Sequence, residues 1–190
     1  MKYLLVGNGP TQNLAIASKA SDSIIQMNSC RHAPDLPVKK THHIFISNMG
    51  EKVSAPLCQA IEKQRELLCD ATVILGRNPF FYMTKRGFLQ VQDWSNAHHD
   101  YHLTEAWRTL ATNWKVRRVS FQSSLRLELQ LRQLGMRHAS MPSTGMIAYD
   151  WLLQRLKPED TITIEGFSFE GWPGHPWAIE SQLIRSMRAL

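Results

Sequence analysis

Apolar residues fall in short, dense runs separated by polar stretches. "KYLLV" (2–6), "SIIQM" (23–27), "HIFIS" (43–47), "ATVIL" (71–75) and "TITIEG" (161–166) are rich in β-branched and aliphatic residues and are bounded by polar or turn-forming ones. Such runs predict buried strands. Between them, apolar positions recur at helical spacing over 54–68, with Ser54 as N-cap and Pro56 in the first turn, over 104–113 after Thr104, over 123–135, and over 144–156 after Ser143 or Thr144. A helical pattern resumes after His175 and runs toward the C-terminus. Strand and helix alternate, which predicts an α/β, Rossmann-like fold: a mostly parallel sheet flanked by helices, with ligands gathering at the carboxyl ends of the strands. No repeat, low-complexity tract or linker interrupts the pattern, so residues 1–190 are expected to form a single domain.

The residues with chemical potential sit at the exits of these strands. "GNGP" follows the first, Asn28 the second, Asn48 the third, and "GFSFEGW" the last. Gly7 and Gly9 admit close approach of a ligand to the main chain. An asparagine amide both donates and accepts, so Asn8, Asn28 and Asn48 together suit a base edge, ribose hydroxyls and a phosphate, or else the local hydrogen bonds common in turns. "MPSTGM" (141–146) places Ser143, Thr144 and Gly145 where a helix begins, a position that favours anions. Glycine in a first helical turn costs roughly 1 kcal/mol relative to alanine, which close approach of a ligand would justify. "GFSFEGWPGHPWAIE" (166–180) surrounds His175 with prolines, glycines, Trp172 and Trp177, and places Glu180 five residues further on. A histidine is suited to take a proton from a hydroxyl near neutral pH.

Charge narrows the partner without naming it. A formal charge of +6 over 190 residues and a pI near 9.4 favour an anion: nucleic acid, acidic lipid, sugar nucleotide or acidic glycan. Arginines concentrate in 117–137, where interleaved leucines predict an amphipathic helix with a solvated face. Cys30, Cys58 and Cys69 are odd in number and lack zinc-ligand spacing, and "MKYLLVGNG" lacks the apolar core and cleavage site of a signal peptide. These features predict a reduced, cytoplasmic protein. No apolar run approaches about 18 residues, so any association with an inner membrane is expected to be peripheral.

Taken in order, these blocks resemble the CMP-sialic-acid-dependent sialyltransferases, bacterial and animal. "LLVGNGP" is similar to the family's first-strand motif, "QMNSC" and "FISN" match later asparagine positions, "MPSTGM" resembles the short sialyl motif, and "HPWAIE" the His-x4-Glu element. The resemblance implies a sialyltransferase-like glycosyltransferase that moves sialic acid or another ulosonic acid, such as Kdo, from a CMP-sugar to a glycan or glycolipid hydroxyl. It implies inversion, no metal and no cofactor beyond the donor, and a role in surface glycans such as lipopolysaccharide or capsule. Carried over, Gly7, Asn8 and Gly9 would lie against the phosphate and sugar, and Asn28 and Asn48 would hold the cytidine and ribose. Ser143, Thr144 and Gly145 would contact the nucleotide's phosphate and sugar. His175 would be the base, with Glu180 supporting its helix. Independently of the resemblance, Trp172 and Trp177 flank His175 and suit either a platform for a sugar ring or packing. Ser168 stands where the bacterial enzymes usually carry an aspartate, and the tyrosines they place near the leaving phosphate have no counterpart here.

Other readings compete. "HHDYH" (98–102) offers His98, His99, Asp100 and His102 to a metal, although adjacent histidines point apart in regular structure. The basic pI and six tryptophans would suit nucleic acid, but the tryptophans are scattered rather than gathered on a basic patch, so no nucleic-acid partner is expected. A third reading is a nucleotide-binding protein without transferase activity. The C-terminal "AIESQLIRSMRAL" sets Arg185 and Arg188 beside apolar residues and would suit anionic lipid, a second copy in a homo-oligomer, or closure of the core, which is the expectation here.

Overall fold

A computed structural model describes residues 1–37, 40–47, 50–89, 112–138, 140–171 and 173–188. Six strands form one sheet: β1 (Lys2–Val6), β2 (Ser23–Met27), β3 (Thr41–Ile46), β4 (Thr72–Leu75), β5 (Lys115–Arg118) and β6 (Thr161–Glu165). Among the described residues the helices are α1 (Leu14–Ala20), α2 (Gly50–Glu62), α3 (Arg65–Leu68), α4 (Pro79–Leu89), α5 (Phe121–Gln133), α6 (Thr144–Leu153) and α7 (Trp177–Arg188). Every strand pairing is parallel, in the spatial order β5-β4-β3-β2-β1-β6. The protein is thus α/β and Rossmann-like.

The central strands are apolar on both faces because helices cover both. Alternate residues divide between the layers. Leu5, Ile25, Met27, Phe45 and Ile74 join Leu127, Leu131, Ile147, Leu152, Leu183 and Ile184 of α5, α6 and α7 in one core. Ile44, Ile46, Val73 and Leu75 pack with Cys58, Ile61 and Leu68 of α2 and α3 on the opposite face, where Leu4, Val6 and Ile24 meet Leu14 of α1. The C-terminal helix α7 closes the first core through Leu183 and Ile184.

Several boundaries differ from the sequence pattern. The helix expected over 54–68 starts earlier, at Gly50, encloses Pro56, and stops at Glu62. There Gln64 turns the chain: its carbonyl accepts from Leu67 and Leu68 to start α3, and its side-chain amide donates to Ser29. The helix over 123–135 is shifted to Phe121–Gln133 because Ser120 caps it, accepting from the Ser123 amide. Arg126 and Arg132 on α5 pair with Asp150 and Glu128 instead of standing alone in solvent. The helix expected over 104–113 and the "HHDYH" cluster lie almost wholly outside the described residues. No helix among the described residues is long and apolar enough to cross a membrane.

The order of strands decides where a ligand can enter. From β1 to β5 the chain steps steadily toward one edge; it then crosses back and sets β6 on the far side of β1. The connection after β1 leads to α1 on one face, and that after β6 leads to α7 on the other. Beyond these exits the chain continues to opposite faces of the sheet, an arrangement that leaves a crevice at the carboxyl ends of the strands.

Candidate active site

A cleft of about 330 Å³ occupies that crevice. Ten residues singled out in the sequence line it: Gly7, Asn8, Gly9, Asn28, Ser143, Thr144, Gly145, Ser168, His175 and Glu180. Asn48 and Trp172 lie outside the described residues. Met27, Gly166, Phe167, Phe169, Glu170 and Trp177 complete the lining.

The glycines answer first to the chain itself. The Gly7 amide donates to the Glu165 carbonyl and the Gly9 amide to the Gly166 carbonyl, both at 2.9 Å. A Cβ on Gly7 would stand 2.2 Å from the Gly166 oxygen, and one on Gly9 2.9 Å from it. Gly166 adopts φ +70°, a region open to glycine at little cost, and its own missing Cβ would meet Gly7. Two strand exits are therefore joined backbone to backbone. Gly145 has a similar reason: a Cβ there would lie 2.8 Å from the Phe167 ring. The close approach inferred from sequence exists, and protein atoms make it.

Asparagines stitch neighbouring exits together. Asn8 Nδ2 donates to the Met27 carbonyl at 3.1 Å, while its Oδ1 accepts from the Arg31 amide. Asn28, held at φ +50°, accepts through Oδ1 from the Ser47 amide at 3.0 Å. Asn78, past the end of β4, repeats the device by donating to Val119, just past β5, and accepting from the Phe81 amide at the start of α4. Each side chain spans from its own strand to the next, so the floor of the cleft is fixed. Asn8 and Asn28 each spend at least one polar function on that floor and retain further hydrogen-bonding capacity.

The opposite wall begins at Ser143 and is held from behind through the segment 140–143. Lys85 Nζ donates to the Ser140 carbonyl (2.9 Å), His175 Nδ1 to Met141 (2.7 Å), and an Arg77 guanidinium nitrogen to Pro142 (2.9 Å). The Met141 amide donates to Gly174, and the Ser143 amide to Glu180 Oε1 at 2.7 Å. Ser143 Oγ donates to Glu180 Oε2 and accepts from the Met146 amide, capping α6. Four charged or titratable side chains thus hold four consecutive residues.

This arrangement sets the charge state of the site. A carbonyl only accepts, so the proton of neutral His175 sits on Nδ1 and Nε2 carries the basic lone pair. Burial, and then the nearby Arg77 cation, push the His175 pKa down to about 4, keeping the ring neutral at pH 7; the Met141 bond opposes the shift. Glu180, 1% exposed, is pushed up by burial, against the pull of the Ser143 hydrogen bonds and Arg77. Trp177 meets His175 edge-on, with ring centroids 4.9 Å apart. Among the described residues no lysine or arginine lines the cleft. The cation acting on both His175 and Glu180 is Arg77, which sequence reasoning passed over. Its only signal was a position in "ILGRN", immediately beyond a strand, where the other site residues also cluster.

Comparison with protein-family models, curated proteins and solved structures finds no match to this chain.

Proposed function

We propose that this protein is a metal-independent, inverting glycosyltransferase that passes sialic acid or a related ulosonic acid from a CMP-sugar to a glycan hydroxyl. The observation that carries it is convergence. Residues 7–9, 28, 143–145, 168, 175 and 180 come from separate stretches, and all face one cleft at the point where the strand order reverses. In this proposal the asparagine amides of Asn8 and Asn28 meet the nucleotide. The first-turn amides of Thr144 and Gly145, which an α-helix leaves without internal acceptors, meet the single phosphate. A CMP leaving group carries little charge, so neutral donors and a helix N-terminus can stabilise it without a divalent ion.

His175 then serves as base through Nε2. On its own it is a weak one, because burial and Arg77 hold its pKa near 4. A donor brings a phosphate and, for an ulosonate, a carboxylate. Either anion beside the ring favours the imidazolium and strengthens the base just as the donor arrives. That weak basicity favours a second reading, a protein that binds the nucleotide without transferring the sugar. The two separate in one assay. CMP-sialic acid and CMP-Kdo, incubated in EDTA with a panel of glycan and glycolipid acceptors whose hydroxyl takes the sugar, should release CMP above the enzyme-free rate with the wild type and not with His175→Ala, which should retain CMP binding. Release undiminished in His175→Ala would remove the base assignment; retained CMP binding with no release by the wild type would leave a binding protein.

A further inference from the structure

Arg77 is 1% exposed, and a buried guanidinium carries a desolvation cost that ordinary packing does not require. Two of its hydrogen bonds run to the Tyr82 hydroxyl at 3.0 Å and the Pro142 carbonyl at 2.9 Å, with the guanidinium carbon 5.4 Å from the Tyr82 ring centre. A neutral amide could make such a bond. What a neutral amide cannot supply is a fixed positive charge behind a histidine and a carboxylate that face the same cleft.

We infer that Arg77 is a positioning residue of this cleft: through the Pro142 carbonyl it fixes the 140–143 segment, and with it the ring of His175 and the first turn of α6. The route is continuous. Pro142 lies between Met141, whose carbonyl orients His175, and Ser143, whose amide and hydroxyl hold Glu180. Displacing Pro142 displaces both. The charge that acts on His175 is Arg77, from the loop after β4, while Glu180, from α7, and Glu170, from the loop after β6, line the same cleft. Lys85 provides a contrast on the same segment. It holds Ser140, which flanks Met141 on the side away from Pro142, and pairs with the buried Glu128 at 2.8 Å, whereas the cation that acts on the His175 ring is Arg77. The consequence for catalysis rests on the glycosyltransferase reading; the geometric claim does not.

The test is the imidazole ¹⁵N spectrum of His175, assigned by its loss in His175→Gln, in wild type, Arg77→Gln, Arg77→Lys and Lys85→Met, with thermal melting of each. The wild type should show the Nδ1–H tautomer at pH 7 and a titration midpoint near 4. Arg77→Gln should lose part of that tautomer and move the midpoint upward, still short of 6.5 because burial persists. Arg77→Lys should fall between, and Lys85→Met should melt lower while leaving the midpoint in place. An unchanged tautomer and midpoint in Arg77→Gln would overturn the inference, as would an equal upward shift of the midpoint in Lys85→Met. If Arg77→Gln does not fold, Arg77→Lys decides by the same criterion: partial loss supports, full retention overturns. CMP calorimetry on the wild type runs alongside. Failure of CMP to bind would sink the nucleotide reading and leave the His175 result standing.

Discussion

Two walls of one cleft are held by opposite means. At the β1/β6 exits, Gly7, Gly9 and Gly166 bring backbone against backbone by having no side chains. At 140–143, buried Lys85, Arg77 and Glu180 and half-buried His175 fix the main chain by supplying side chains. The first wall depends on sterics and is indifferent to pH. The second depends on charge and hydrogen bonding, and it is the wall that can respond to a proton or an anion. A site built this way has a rigid surface on one side and a tunable one on the other.

The contrast breaks most severely at the glycines. Gly7→Ala should cost about 3 kcal/mol or more, because its Cβ would meet a backbone oxygen that can yield only if β6 moves. Urea denaturation should show a lower midpoint. Gly145→Ala should cost nearer 1 kcal/mol, since the obstacle is the Phe167 ring, and Phe167→Leu should recover part of it. On the charged wall, Ser143→Ala removes the α6 cap and leaves Glu180 Oε2 without its hydroxyl donor in a buried setting. A loss of about 2 kcal/mol is expected, again by denaturation.

Acid should separate the two walls further. His175 and His43 have folded pKa values of about 4 against 6.5, so between those values the unfolded chain holds more protons than the fold. Their contribution to stability is full above 6.5 and is lost as the pH falls toward 4. Glu180 and Asp150, raised by burial, act with the opposite sign, their contribution being lost as pH rises through their folded values. His175→Gln should therefore flatten the dependence of stability on pH between 4 and 6.5, whereas Gly145→Ala should shift the whole curve without changing its slope. The smallest effect is expected at the floor: Asn28→Gly keeps the left-handed backbone accessible and loses one bond to Ser47, for about 1 kcal/mol, and should weaken CMP binding if the nucleotide lies there.

Much of this was legible where apolar residues recur. β1, β2, β3 and β4, buried between helix layers, read as apolar runs, β6 at the sheet edge reads by its alternating isoleucines, and the strand exits point to the cleft. β5, "KVRR", did not, because an edge strand with only Val116 partly buried has no apolar run to read. α4 carried a signal that was passed over, Asn78 followed by Pro79, with the asparagine capping the helix and proline in its first turn. The glycines were legible as close contacts, but a sequence cannot distinguish a ligand from Gly166 or Phe167 as the neighbour. Arg77 was illegible as a buried cation because arginine after a strand ordinarily faces solvent; its burial comes from the 140–143 segment folding over it, a contact across 65 residues of chain.

The central claim is that this cleft receives a CMP-linked donor. Calorimetric titration with CMP, with UMP and GMP as controls and EDTA present throughout, tests it most directly. Selective binding of CMP without metal is the predicted result; no binding of any of the three, or equal binding of all, would contradict it.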